Sequence, residues 1–283
     1  MTSKTPNVGL FVTCLVNLFR PSVGFASIKL LEDAGCHVTI PKAQTCCGQP
    51  GYNPGDFEST RKIAKQVIST FEDFDYIVIP SGSCSGMLVH HYPSLFKPLS
   101  PKETSTSSDN EWFDRATAMA EKTFELTSFL HDILKVKPIK PVPDLSAETF
   151  TYHDSCAGLR EMGIKDQPRE LLKSYANAAI TELKNTEECC GFGGTFCAKM
   201  PDISNAMVTD KLASAIDTNA ETLLGGDLGC LLNIAGRATR TNKKINVRHV
   251  AEVLANDFSG PSIGSGLTEN LSDATNNKTA GRR

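Results

Sequence analysis

The stretch TCCGQPGYNPGDFESTRKIAKQVISTFEDFDYIVIPSGSC at 45–84 returns as ECCGFGGTFCAKMPDISNAMVTDKLASAIDTNAETLLGGDLGC at 188–230. Both begin with a vicinal cysteine pair and a glycine and enter an amphipathic helical pattern. Both then pass into a short apolar segment, DYIVIP or ETLLGG, and end at a lone cysteine. A helix feeding a buried strand, twice over, predicts parallel strands covered by helices.

On either side the repeat widens. Between Cys14 and Cys46 lie 31 residues, and between Cys156 and Cys189 lie 32. Cys84 follows Cys47 after 36 residues and Cys230 follows Cys190 after 39. The strand-like VGLFVT (8–13) precedes Cys14 as FTYH (150–153) precedes Cys156. A helical pattern over Phe25–Ala34 leads to the strand-like HVTIP, as PRELLKSYANA leads to AAITEL. Each half closes with an apolar segment and a helix, FELTSFLHDIL and INVRHVAEVLA, a match independent of the cysteines. These matches predict an α/β protein of two duplicated Rossmann-like halves with parallel sheets related by pseudo-two-fold symmetry. The expected division is an N-terminal cysteine-rich domain over 1–135, a Pro-rich linker over 136–148, a C-terminal cysteine-rich domain over 149–256 and a disordered tail over 257–283. With 283 residues, two domains with separate cores are expected. PLSPKETSTSSDNE (98–111) reads as a surface insertion.

In parallel sheets sites form at the carboxyl ends of strands. Cys14, Cys46, Cys47 and Cys84 are therefore expected in three loops converging on one site. Cys156, Cys189, Cys190 and Cys230 are expected to form a second. Four thiolates are the complement of an iron–sulfur cluster, and the C-x2-C pairs usual for zinc are absent. Gly48 and Gly191 can take left-handed angles, turning the chain after two adjacent ligands and bringing amides towards a cofactor. Composition excludes other classes. Lys+Arg number 29 against 32 Asp+Glu, with no basic stripe, which argues against nucleic acid. No apolar run reaches the ~18 residues of a membrane span. The start MTSKTPNVGLFV lacks a signal-peptide pattern, so a cytoplasmic location and reduced thiols are expected. No Gly-rich dinucleotide fingerprint follows the first strand.

These motifs carry a resemblance. The cysteine pattern resembles the CCG domain of the heterodisulfide reductases and of the iron–sulfur subunits of glycerol-3-phosphate and glycolate dehydrogenases. HDSCAGLRE (153–161), ECCGFGGTFCAKMPDIS (188–204) and GGDLGCLLNIAGR (225–237) are similar to the lactate utilisation protein A family, with the likeness running over residues 6–256. The resemblance implies an iron–sulfur electron-transfer subunit working with two partner subunits, one ferredoxin-like, in oxidising L-lactate to pyruvate. A heterodisulfide reductase-like thiol–disulfide enzyme, or action on glycolate or another 2-hydroxy acid, is the alternative. Heterodisulfide reductases end each motif in Cys-x-x-Cys and supply five thiolates, whereas Met87 and Asn233 stand at the last positions here. A 4Fe-4S cluster, one or two per chain, is thus the default, and a smaller cluster remains open.

Other residues have two readings each. Met87 is either a weak axial ligand or packing, with packing favoured. Cys36 is read as core, while Cys197 is open between a ligand or redox thiol and no role. His153 and His249 are either donors to a cluster or substrate or structural hydrogen-bonders. His90 and His91 are expected on a solvated face, and Arg20 and Arg160 in salt bridges.

Overall fold

The computed structural model describes residues 5–97, 107–136, 145–257 and 260–265. Two parallel sheets form the frame. The first has strands β1 (Asn7–Leu10), β2 (His37–Thr39), β3 (Tyr76–Ile79) and β4 (Thr123–Glu125) in the order β2-β1-β3-β4. The second has β5 (Phe150–His153), β6 (Thr222–Gly225) and β7 (Asn246–His249) in the order β5-β6-β7. Every pairing is parallel, with register Gly9↔Ile77 in the first sheet and Tyr152↔Leu224 in the second. Of the strand expected in AAITEL only an isolated parallel bridge, Phe150↔Ile180, forms. It occupies the place of β2, so the second sheet keeps the order of the first. The α/β fold with two parallel, Rossmann-like halves is thereby observed.

Both faces of the first sheet are covered, as a parallel sheet requires. Val8, Leu10 and Val78 face one apolar cluster, whereas Phe11, Ile77 and Ile79 face another built on Phe71, Met87 and Tyr92. At Gly9 a Cβ would come 2.7 Å from the Phe74 ring, so glycine lets the helix Phe57–Phe71 and its following turn lie against β1.

The expectation of two separate cores is corrected. The cluster containing Val8, Leu10 and Phe129 continues without a break into Phe150, Leu224 and Val247 of the second half. The closing helices explain why. Val250–Leu254, which ends the second half, packs on Pro21–Asp33 of the first, while Leu126–Ser128 and the π-helical turn Phe129–Ile133 pack on Asp166–Ala176 of the second. Each half thus lends its last helix to the other. Arg20 locks one exchange, its Nε donating to the buried Glu252 Oε1 at 2.8 Å.

The stretch 98–111 divides. Residues 98–106 lie outside the described residues, and the rest opens the helix Ser107–Glu121. The linker residues 137–144 and the tail residues 258–259 and 266–283 also lie outside them. Part of the segment beyond 257 stays with the fold: Ile263 is buried and its N–H donates to Val247 O at 2.9 Å. Arg20 and Arg248 hold the same segment, donating to Pro261 O at 2.7 Å and to Gly260 O at 2.8 Å.

A thiol-lined cavity as candidate metal centre

Four helices carry the lone cysteines. Cys14 opens the helix Cys14–Phe19 and Cys156 opens Cys156–Arg160; Cys84 lies in Gly82–Gly86 and Cys230 in the first turn of Leu228–Arg240. The sequence pattern places them in loops, and the structure moves each into a first helical turn. The reason is the cap residue. Thr13, Ser155, Ser81 and Asp227 each accept a backbone N–H with the side chain, starting the helix directly after the strand. The four first turns bring unpaired amides and the positive ends of peptide dipoles close to the thiols.

Within each half the four thiols lie in the same order, Cys14–Cys46–Cys47–Cys84 and Cys156–Cys189–Cys190–Cys230, each interacting with the next. Cys14 Sγ lies 3.8 Å from Cys46 Sγ. Hydrogen bonds from Cys14 and Cys47 hold the Cys46 thiol far below the usual range, and bonds from Cys156 and Cys190 do the same for Cys189. Those donors are pushed up in turn: Cys14 and Cys156 by their bonds to Cys46 and Cys189, and Cys47 and Cys190 likewise. The Gly191 N–H also points at Cys189 Sγ, 3.4 Å away. Each chain therefore has one thiol ready to be a thiolate, the form that binds metal.

The two glycines behave as expected but unequally. Gly48 has φ +84° and Gly191 +78°. A Cβ at Gly191 would meet Ser204 O at 2.7 Å, whereas one at Gly48 would meet nothing nearer than Thr60 Cγ2 at 3.2 Å.

The two tetrads face each other. All eight cysteines line one cavity of about 280 Å³ between the halves, together with Gln49, Asn53, Glu161 and Phe192. Close backbone contact brings the halves together here: a Cβ at Gly82 would lie 2.6 Å from Gly158 Cα. Asp227 ties the same seam, accepting from Ser83 N–H at 2.9 Å while capping its own helix through Gly229 N–H at 3.2 Å.

The remaining candidates sort by position. Met87 is fully buried in the apolar cluster and does not line the cavity; Cys36 is core. Cys197 donates to Gly194 O at 3.1 Å and stays off the cavity wall. His249 caps the last helix and contacts Ala251 N–H through Nδ1. His90 is exposed and His91 half-buried, as a solvated face requires, and both reach Glu161. Arg20 forms its ion pair, and Arg160 Nη2 donates to Glu187 O at 3.2 Å. His153 is buried behind Cys190 and Cys230; burial, aided by the Lys211 charge, pushes its imidazole down to about 3, so it is neutral.

Several residues escaped the sequence reading. Tyr92 Oη donates to Cys47 O at 2.9 Å and Asn233 Nδ2 to Cys190 O at 2.9 Å, so different side chains hold the two vicinal pairs in the same way. Asn233, at the position of the missing fifth cysteine, is thus engaged with the backbone. Lys211 is fully buried and donates to Asn185 O at 2.6 Å, anchoring the loop before Cys189. Asp227 had a signal, since it precedes Cys230 by the interval that separates Ser81 from Cys84. Tyr92 and Lys211 had none, because neighbouring helices deliver them.

The cysteine-rich CCG domain family matches residues 8–89 and again 150–235. Lactate utilization protein A of Bacillus cytotoxicus is 47% identical over 250 residues, covering 87% of this chain and 98% of that protein. The chain belongs to the lactate utilization protein A family. Members from Bacillus mycoides and Bacillus thuringiensis are 46% identical over 248 residues, again covering 87% of this chain and 98% of each relative. Among solved structures, a putative Asp/Glu racemase from Yersinia pestis covers 89% of this chain and 96% of its own at 8% identity and a TM-score of 0.32, which carries no argument. The family's two domain matches each contain one of the two thiol tetrads.

The donor chemistry of the family site fits a metal or iron–sulfur group. It offers eight thiols, two of them favoured as thiolates, beside a left-handed glycine cradle that a Cβ at residue 191 would fill. Among the described residues no helix is long and apolar enough to cross a membrane.

Proposed function

We propose that this chain is an iron–sulfur electron-transfer subunit of a cytoplasmic complex that oxidises L-lactate to pyruvate. Cys14, Cys46, Cys47 and Cys84 would hold one cluster and Cys156, Cys189, Cys190 and Cys230 another, with 4Fe-4S the form that matches four thiolates per half. The observation that carries the reading is the pair of matching thiol chains facing one cavity, in a chain whose relatives are named for lactate utilization. Bound clusters would take up and pass on single electrons, so two together match the two electrons released when a 2-hydroxy acid becomes a 2-oxo acid. Tyr92 and Asn233 hold the backbone of the vicinal pairs, Gly48 and Gly191 bring amides close, and Asp227 joins the halves across the seam.

The cavity wall also divides the labour. Among the described residues it carries Glu161 and Asp227 but no Arg, Lys or His. A carboxylate substrate would find no cationic partner there. This supports substrate chemistry on a partner subunit, one of two in the complex and one of them ferredoxin-like. A heterodisulfide reductase-like reaction is the second reading, favoured by the access both tetrads have to one cavity of about 280 Å³.

The test begins with protein purified without oxygen. Two four-iron centres would give about eight iron and eight sulfide per chain, with paramagnetic signals on reduction. Reduction by L-lactate in the presence of the partner subunits, and not by glycolate, supports the full reading. Negligible iron after anaerobic reconstitution refutes it, and disulfide cleavage by this chain alone favours the second reading.

A further inference from the structure

The two thiol tetrads stand on matching frames but not on matching floors. His153 ends β5 three residues before Cys156, and Phe11 occupies the same place before Cys14. Phe11 is fully buried and packs on Phe71, with ring centroids 5.4 Å apart. His153 is buried to the same degree, at 1% exposure, yet neither Nδ1 nor Nε2 has a hydrogen-bond partner. A buried polar atom left unpaired is unfavourable, and Phe11 shows that the same position in the other half is filled by an apolar ring. The imidazole has a direction as well as a deficit: one ring nitrogen, Cys190 Sγ and Cys230 Sγ all lie within 4.8 Å of one another.

We propose that His153 is a nitrogen ligand of the metal group held by the C-terminal cysteines, giving that centre a mixed sulfur–nitrogen donor set while the N-terminal centre is held by sulfur alone. The inference rests on the metal-binding reading above and adds a donor to it. Bond lengths allow it. Metal–nitrogen bonds of about 2.0–2.1 Å and metal–sulfur bonds of about 2.3 Å place the two donors of one tetrahedral ion about 3.6 Å apart, and the three donor atoms here all lie within 4.8 Å of one another. Asn233, the other side chain near Cys190 able to act as a fifth donor, is committed to the Cys190 carbonyl. Lys211, buried on the same side of the sheet, is committed to Asn185 O and Thr186 O.

The experiment uses the full chain, purified anaerobically with its metal and assayed first for iron and sulfide. Pulsed paramagnetic resonance of the partly reduced protein is then compared between natural-abundance and 15N-histidine-labelled samples. A strong nitrogen coupling that changes with the label, carried by one of the two centres, is the expected result. No histidine other than His153 is grouped with cysteines among the described residues. His153→Phe, which copies Phe11, should abolish that coupling while leaving the other centre's signal in place. The isotope comparison needs no substitution and decides the matter should the variant fail to fold. Bound iron and sulfide without strong nitrogen coupling, or with only the weak coupling of a hydrogen-bonded imidazole, would overturn the His153 assignment and leave the iron–sulfur reading standing. Absence of bound metal after reconstitution would overturn both.

Discussion

Glu125→Gln should remove one contribution to the pH dependence of stability, a fall of about 3 kcal/mol as pH rises from about 4.5 to 7. Glu125 ends β4, is 2% exposed, and caps the helix Leu126–Ser128: its Oε2 accepts from Thr127 N–H at 2.7 Å, from the Thr127 hydroxyl and from Ser128 N–H at 3.2 Å. Its Oε1 is buried without a partner beside a water-sized space of about 10 Å³ lined by Tyr152, Asp154 and Ser155. Burial raises the carboxyl from 4.5 to about 7 against the pull of those donors, with Asp227 adding to the rise. The folded chain therefore binds this proton more tightly than the unfolded chain, and stability falls as pH rises through the window between the two values. At about 1.4 kcal/mol per pH unit the window spans about 3 kcal/mol, present in full below 4.5 and gone above 7. Glutamine keeps an acceptor for the cap and carries no charge at any pH in that range. Urea unfolding of both forms, followed by far-ultraviolet circular dichroism from pH 4.5 to 8, should give curves that diverge by about 3 kcal/mol across the window, the variant gaining relative to the parent as pH rises. Parallel curves would refute the claim that this carboxyl is held protonated by its burial.

Gly191→Ala should destabilise the fold by a few kcal/mol, combining left-handed strain with a Cβ 2.7 Å from Ser204 O, and should weaken metal retention by the second half. Gly48→Ala, with its nearest neighbour at 3.2 Å, should show mainly the strain, so equal losses in thermal unfolding and metal content would count against the cradle. Arg169→Met leaves Asp154, whose side chain is 1% exposed, without its bidentate partner at 2.9 and 3.0 Å; a loss of about 3–5 kcal/mol in urea unfolding is expected, and a change under 1 kcal/mol would show the pair to be dispensable. Cys47→Ser should remove the metal of the first half and Cys190→Ser that of the second, while Cys36→Ser leaves the iron content unchanged; iron loss in the Cys36 variant would mean that the ligand set is wrong.

Much of the frame was legible from residues 45–84 and 188–230, because a buried parallel strand and an amphipathic helix leave periodic marks that survive without any knowledge of the partner elements. FTYH, DYIVIP and ETLLGG all became strands in the expected places. AAITEL did not, and only the bridge at Ile180 forms there. The loop assignment of the cysteines failed for a different reason. Thr13, Ser81, Ser155 and Asp227 were capping residues in plain view, and reading them as caps would have started the helices at the cysteines.

That eight cysteines come in two equivalent sets of four on a duplicated α/β frame follows from the linear chain, because ligand spacing and strand periodicity are properties of one segment at a time. Nothing in that spacing says that both sets face one cavity, that each half's last helix packs on the other half, or that His153 sits unpartnered behind Cys190 and Cys230. Those facts depend on how two surfaces fit. The approach of Gly82 to Gly158, the reach of Asp227 to Ser83 and the burial of Glu252 against Arg20 set the seam between the halves, and each joins residues from opposite halves of the chain, leaving no periodic trace in either segment.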